Sequence, residues 1–124
     1  MISETWFAEG RVFDETLREL KHGHGIDMIC TNRKGASGRN SGGGTSIAYR
    51  KSKMSLKTFP VRRNGFELTV AKGRFIDNKR PTFLVSVYIP PGLRRAKFDS
   101  FLDTLRECLN KIKLDERSPL IIMG

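Results

Sequence analysis

The longest apolar segment in the middle of the chain predicts a central β-strand. Residues 82–89 read Thr-Phe-Leu-Val-Ser-Val-Tyr-Ile, with β-branched, aromatic and aliphatic side chains at almost every position. This composition favours a strand over a helix, and the scarcity of polar positions predicts that both faces are covered. Because proline donates no backbone hydrogen bond and glycine permits a turn, Pro90-Pro91-Gly92 end the strand. Tyr88 is therefore expected at the carboxyl end of this strand, where sheet proteins commonly carry their sites.

Shorter apolar segments before this strand predict a helix and an antiparallel meander. A weak helical face is predicted over 12–20, and the predicted strands are 26–31, 45–49, 57–61 (kinked by Pro60) and 66–76. The turn at 62–65 contains Asn-Gly, a typical hairpin signal, and a second turn at 77–81 leads back into the central strand. Residues 57–89 are thus predicted to form three consecutive antiparallel strands.

The clearest helix is predicted over 96–114, where apolar residues recur at spacings of three and four and charged residues fill the opposite face. A turn and the apolar segment 120–123 follow, and we expect this segment to form a second buried strand. A strand, a helix and a strand in succession indicate a crossover, so a helix layer should pack on the sheet. The pattern as a whole predicts an α/β fold.

The charge of the chain indicates which classes of partner it binds. The 124 residues suffice for one domain, and 23 Lys+Arg against 13 Asp+Glu give a formal net charge of +10. Such an excess is typical of proteins that bind a polyanion, nucleic acid first and an acidic membrane surface second; a merely soluble basic protein is the alternative. No apolar segment approaches the ~20 residues of a membrane span, and the N-terminus lacks a signal-peptide pattern. Cys30 and Cys108 form no metal or redox motif, which predicts reduced thiols in an intracellular protein.

Two polar segments leave alternatives open. His22 and His24 lie close together in a Gly-rich segment, but no third zinc-type ligand accompanies them, which favours a surface turn over a metal site. Residues 32–44 form a polar, glycine-rich loop that is not a Walker loop, because no Gly-Lys-Ser/Thr ends it and no helix follows. Its amides, with Arg33, Lys34 and Arg39, suit contact with a phosphate backbone, and a mobile hairpin connection is equally consistent.

Three motifs in order resemble the endonuclease/exonuclease/phosphatase family. Residues 2–6 (ISETW) are similar to a strand end with a metal-binding glutamate, residues 42–49 (GGGTSIAY) to a glycine-rich strand start, and residues 87–91 (VYIPP) to a Tyr-x-Pro strand end. The helix and apolar strand that end at Gly124 resemble the segment that leads into Gly-Asp-x-Asn in the family. The residues of the motifs, Ser-Glu-Thr-Trp and Tyr-Ile-Pro-Pro, together with the basic charge, look most like the endonuclease domains of non-LTR retrotransposons. In those elements this domain precedes a reverse transcriptase.

The resemblance implies a four-layer α/β sandwich, with two packed mixed sheets flanked by helices, and phosphodiester hydrolysis that depends on Mg²⁺ or Mn²⁺. Glu4 would be the metal ligand and Tyr88 a catalytic hydrogen-bond donor to the scissile phosphate; without the resemblance, Glu4 is an ordinary solvated glutamate. Arg39, Asn40 and Arg50 are candidates for contact with the nucleic-acid backbone that no motif assigns. DNA would be the partner, and a retrotransposon endonuclease would work in the nucleus.

The resemblance covers part of the family's fold only. The family's first strand, its Asp-x-Asn pair and its Ser-Asp-His motif have no counterpart in residues 1–124, and His22 and His24 are wrongly placed to replace that histidine. We therefore expect residues 1–124 to be a fragment of the domain that lacks the first strand and the C-terminal half, with exposed sheet edges, poorly folded and inactive by itself. The alternative functions are a phosphoinositide or other phosphomonoester phosphatase of the same fold and a non-catalytic nucleic-acid-binding remnant.

Overall fold

A computed structural model describes residues 2–3, 11–32, 44–78, 80–112 and 118–124 of the chain. Within these residues the helices are α1 (Arg11–Gly23) and α2 (Arg95–Ile112). The strands are β1 (Ile2–Ser3), β2 (Ile26–Asn32), β3 (Gly44–Arg50), β4 (Met54–Thr58), β5 (Glu67–Phe75), β6 (Thr82–Tyr88) and β7 (Leu120–Met123).

The strands form two sheets. The three-stranded sheet has the order β1-β3-β2 with antiparallel neighbours, and the four-stranded sheet has the order β4-β5-β6-β7. Strands β4, β5 and β6 are the predicted antiparallel meander, and α2 crosses over to bring β7 parallel to β6. Both predictions are confirmed. Residues 82–87 of β6 are all buried, as the apolar composition of the central strand predicts.

Alternate residues of the four-stranded sheet face two different apolar cores, as the period of a strand requires. One set, which includes Leu68, Phe83 and Val85, packs with Phe101 and Cys108 of α2. The other set lies between the two sheets and joins the following side chains: Ile29, Ile47 and Tyr49 of the three-stranded sheet with Met54, Leu56, Ala71 and Leu84 of the four-stranded sheet. The layers therefore run from the three-stranded sheet through the four-stranded sheet to α2, and the predicted α/β fold is confirmed.

Helix α1 lies beside β2 and is tied to it by an ion pair. The Nζ atom of Lys21 lies 3.5 Å from Oδ2 of Asp27. The helix continues through His22 and Gly23, so the predicted turn is confined to the residues after it, where Gly25 has a φ of 63°. Both histidines are exposed.

Strand β4 differs from the prediction in its position, and β7 differs in its burial. Strand β4 begins three residues earlier than 57–61 and ends before Pro60, so Pro60 follows the strand instead of kinking it. Asn64 and Gly65 adopt left-handed φ values of 49° and 83°, but they lie within the longer connection 59–66. The strand predicted as buried at 120–123 forms, yet its residues are 38–44% exposed, because β7 is the outermost strand of the described sheet.

Candidate active-site edge of the sandwich

Several strands end at one edge of the sandwich, which we call the Tyr88 edge. In the three-stranded sheet, Ser3 at the end of β1 pairs with Thr45, and Asn32 at the end of β2 pairs with Gly44. In the four-stranded sheet, Tyr88 at the end of β6 pairs with Glu67. The backbone N–H of Gly44 donates a hydrogen bond of 2.7 Å to Oε2 of Glu67, which brings the two sheets together at this edge.

Tyr88 is the last residue of β6 and is half-buried. It shares the alternate face of the strand with Leu84, which belongs to the core between the sheets. Its side chain therefore lies on the sheet face that looks toward β1 and β3. The position predicted for Tyr88, at the carboxyl end of a central strand, is confirmed.

Glu67 is a residue of the Tyr88 edge that the sequence analysis did not single out. It is only 9% exposed, and a buried carboxylate is costly unless hydrogen bonds satisfy it, which the Gly44 amide does in part. The available signal was an ionisable residue at the start of an apolar strand. In the alternation of β5, Glu67 and Thr69 share one face, and Glu67 is opposite Tyr88.

A polar layer lies one step inside the Tyr88 edge. The hydroxyl of Thr69 donates to the carbonyl oxygen of Thr45 at 2.9 Å, and the two threonine hydroxyls are 2.6 Å apart. Ser86, the register partner of Thr69 on β6, is fully buried, and its hydroxyl has no hydrogen-bond partner among the described residues. Beyond this layer the side chains between the sheets are mainly apolar, although Thr82 adds a buried hydroxyl at the far end of β6.

The other predicted site residues are not all brought to this edge. Glu4, Arg39 and Asn40 lie outside the described residues; Ser3, which ends β1, immediately precedes Glu4. Arg50 is described and exposed, but it ends β3 at the opposite end of the strand from Gly44, about 20 Å away at 3.3–3.4 Å per residue. The structure therefore places Arg50 apart from Tyr88.

The two thiols are free and poorly suited to nucleophilic chemistry. Burial raises the pKa of the Cys30 thiol from 9.0 to about 11. Burial also raises the pKa of Cys108, against a smaller opposing effect of the Lys111 charge. Since the thiolate is the nucleophile, neither cysteine is activated near neutral pH.

Glu67 contributes carboxylate oxygens at the Tyr88 edge, and a hard cation prefers oxygen ligands. Within the described part of the chain, however, no group of three or more His, Cys, Asp and Glu side chains is arranged to hold a metal ion. In the same part of the chain, neither helix is long and apolar enough to cross a membrane.

Comparison with known proteins places this architecture in a fold class. No model of a protein family matches the chain, and no curated protein matches it. The fold is similar to that of a solved structure, the human Nocturnin catalytic domain with a bound sulfate anion. The two share 13% sequence identity with a TM-score of 0.69 over 89% of this chain. The chain spans about half of that domain, 46% of its length.

Proposed function

We propose that the chain is part of a divalent-metal-dependent phosphodiesterase, a DNA endonuclease of the non-LTR retrotransposon type. The observation that carries the proposal is the meeting of two strand ends at the Tyr88 edge: β1, which leads directly into Glu4, and β6, which ends in Tyr88. Because β1 contacts β6 across the two sheets, the two motif residues belong to neighbouring strand ends. The shared fold and the net charge of +10 support a phosphate-ester substrate with many negative charges.

In this proposal the residues of the edge have separate roles. Glu4 holds the Mg²⁺ or Mn²⁺ ion, which would offset the charge that develops on the phosphoryl oxygens and the leaving oxygen. The Tyr88 hydroxyl donates a hydrogen bond to the phosphate. Glu67 positions the start of β3 through its hydrogen bond with the Gly44 amide and so holds the two sheets together beside the substrate. A reverse transcriptase in the same protein and a nuclear location belong to the proposal.

The test is Mg²⁺-dependent nicking of supercoiled plasmid by the complete protein. Glu4→Gln should abolish nicking while DNA binding in EDTA is retained. Tyr88→Phe should lower kcat about 100-fold, the typical loss of one transition-state hydrogen-bond donor. Tyr49→Phe is the matched control, since Tyr49 is the other tyrosine of the chain and packs in the core between the sheets.

Equal nicking rates for Tyr88→Phe and Tyr49→Phe would contradict the proposed site. Glu4 and Tyr88 do not distinguish DNA from a phosphomonoester, so phosphate release from phosphoinositides is measured in parallel. Metal-dependent phosphate release without nicking would identify a phosphatase of the same fold. Binding that weakens steeply with salt, without hydrolysis of either substrate, would identify a nucleic-acid-binding remnant.

A further inference from the structure

A cluster of basic side chains lies on the four-stranded sheet, away from the Tyr88 edge. Lys57 of β4 and Lys72 of β5 are direct register partners, and Arg74 lies two residues further along β5, opposite Ser55. We call Lys57, Lys72 and Arg74, together with Lys111 in the last turn of α2, the basic face.

The basic face and Tyr88 are on opposite faces of the sheet. Lys72 and Arg74 alternate in phase with Leu68, which packs against α2, whereas Tyr88 is in phase with Leu84 between the sheets. Lys72 pairs with Phe83, which is five residues from Tyr88 along β6, or about 17 Å. A ligand on the basic face would therefore not compete with one at the Tyr88 edge.

Two of the ammonium groups are held in place by one aromatic pair. The rings of Phe59 and Phe83 meet edge to face with centroids 5.3 Å apart. The Nζ atom of Lys72 lies 5.0 Å from the Phe83 centroid, and that of Lys111 lies 5.5 Å from the Phe59 centroid. Lys111 also donates a 2.6 Å hydrogen bond to the carbonyl oxygen of Pro60. Side chains fixed in this way lose less conformational entropy when they bind a ligand.

Within the described residues, no carboxylate pairs with the basic face. The ion pairs among the described residues join Lys21 to Asp27 and Arg106 to Asp103, none of which belongs to the basic face. Like charges directly opposite each other in an antiparallel pair destabilise it, so the Lys57 and Lys72 register is unfavourable for folding. One acidic side chain, Glu107, lines an adjoining groove of about 350 Å³, but Arg62 and Lys111 line the same groove.

We propose that the basic face binds the phosphate backbone of a nucleic acid as a second contact surface, separate from the Tyr88 edge. A row of phosphates would offset the repulsion between Lys57 and Lys72 and would meet side chains already oriented by the aromatic pair. Such contacts carry no base information; they position the protein on the nucleic acid and make its affinity depend on salt.

The test is Lys57→Glu in the complete protein, measured as binding to a DNA duplex in EDTA over a range of salt concentrations. The substitution places opposite charges at the Lys57–Lys72 register pair, so the melting temperature should be unchanged or higher. Affinity should nevertheless fall, and the slope of log K against log salt should decrease by about 1 to 2, since each lost phosphate contact lowers it by about 0.9.

The matched control is Arg18→Glu, which makes the same charge change at an exposed position of α1, the helix beside the three-stranded sheet. An equal loss of affinity in both variants would show a net-charge effect and overturn the proposal, as would unchanged binding by Lys57→Glu. Loss of binding to phosphatidylserine vesicles without loss of DNA binding would assign the face to a membrane surface and also overturn it. DNA cleavage is not part of the readout, so failure of the proposed nuclease activity leaves this test intact.

Discussion

Glu67 shows how a single buried carboxylate joins the two sheets at the candidate site. It lies on β5 of the four-stranded sheet, yet it accepts its hydrogen bond from Gly44, the first residue of β3 in the other sheet. The same residue is opposite Tyr88 in the register. A change at Glu67 should therefore affect stability first and the position of the Tyr88 edge as a consequence.

We predict that Glu67→Ala lowers the free energy of unfolding by about 1–3 kcal/mol, because it leaves the buried Gly44 amide without its acceptor. Glu67→Gln should cost less, since the amide oxygen can still accept that hydrogen bond. Urea unfolding of the complete protein measures both. Glu107→Ala, at an exposed position of α2, is the control and should stay within about 0.5 kcal/mol of the unsubstituted protein. Equal losses at Glu67 and Glu107 would contradict the role of the Gly44 hydrogen bond.

At the scale of the elements, the register of β3, β5 and β6 stacks polar side chains beneath the site. Thr45 and Thr69 satisfy each other across the sheets, whereas Ser86 contributes a buried hydroxyl without a partner in the described residues. A satisfied and an unsatisfied hydroxyl thus lie side by side on β5 and β6. This difference predicts that removing the Thr69 hydroxyl lowers stability, whereas removing the Ser86 hydroxyl does not.

Thr69→Val removes a hydroxyl that makes both contacts with Thr45 and should lower the free energy of unfolding by about 1–3 kcal/mol. Ser86→Ala removes a hydroxyl that gains nothing from burial, so stability should be unchanged or higher. Denaturant unfolding compares the two variants directly. A loss on Ser86→Ala as large as that on Thr69→Val would show that the Ser86 hydroxyl is hydrogen-bonded after all.

Sequence patterns predicted the elements whose periodicity is strong and missed what depends on neighbours. Helix α2 was predicted because its apolar residues recur at spacings of three and four, and the β6 strand because it is apolar at almost every position. Apolar and polar residues also alternate in the segment 54–58, Met-Ser-Leu-Lys-Thr, but the strand was predicted at 57–61, with Pro60 as a kink inside it. The exposure of β7 was missed because an apolar segment does not reveal whether one or two strands pair with it.

At the scale of the whole molecule, the Tyr88 edge and the basic face carry different chemistry. Tyr88 was predictable because its strand end resembles a family motif, and Glu67 was not, because its partner Gly44 is distant in sequence. Lys57, Lys72 and Arg74 are likewise separated along the chain, and only the pairing of β4 with β5 assembles them. Charge composition indicated a polyanionic partner, but the location of the basic face required the fold.

The outer strand β7 leads to a prediction about the 124-residue polypeptide in solution. Its side chains are 38–44% exposed, and an exposed apolar edge strand is a template for pairing with another chain. We expect this polypeptide to associate with itself as its concentration rises. Ile122→Lys should weaken this association, because a charge on an edge strand opposes edge-to-edge pairing.

Sedimentation velocity at increasing concentration measures the effect, with Ile76→Lys as the control. Ile76 is 65% exposed, more than the 43% of Ile122, but it follows β5 in the turn toward β6 and is not on β7. If general surface hydrophobicity caused association, both substitutions would reduce it. If β7 pairing causes it, Ile122→Lys alone should shift the sample toward monomer, and a polypeptide that is monomeric at every concentration would show that the β7 edge does not pair.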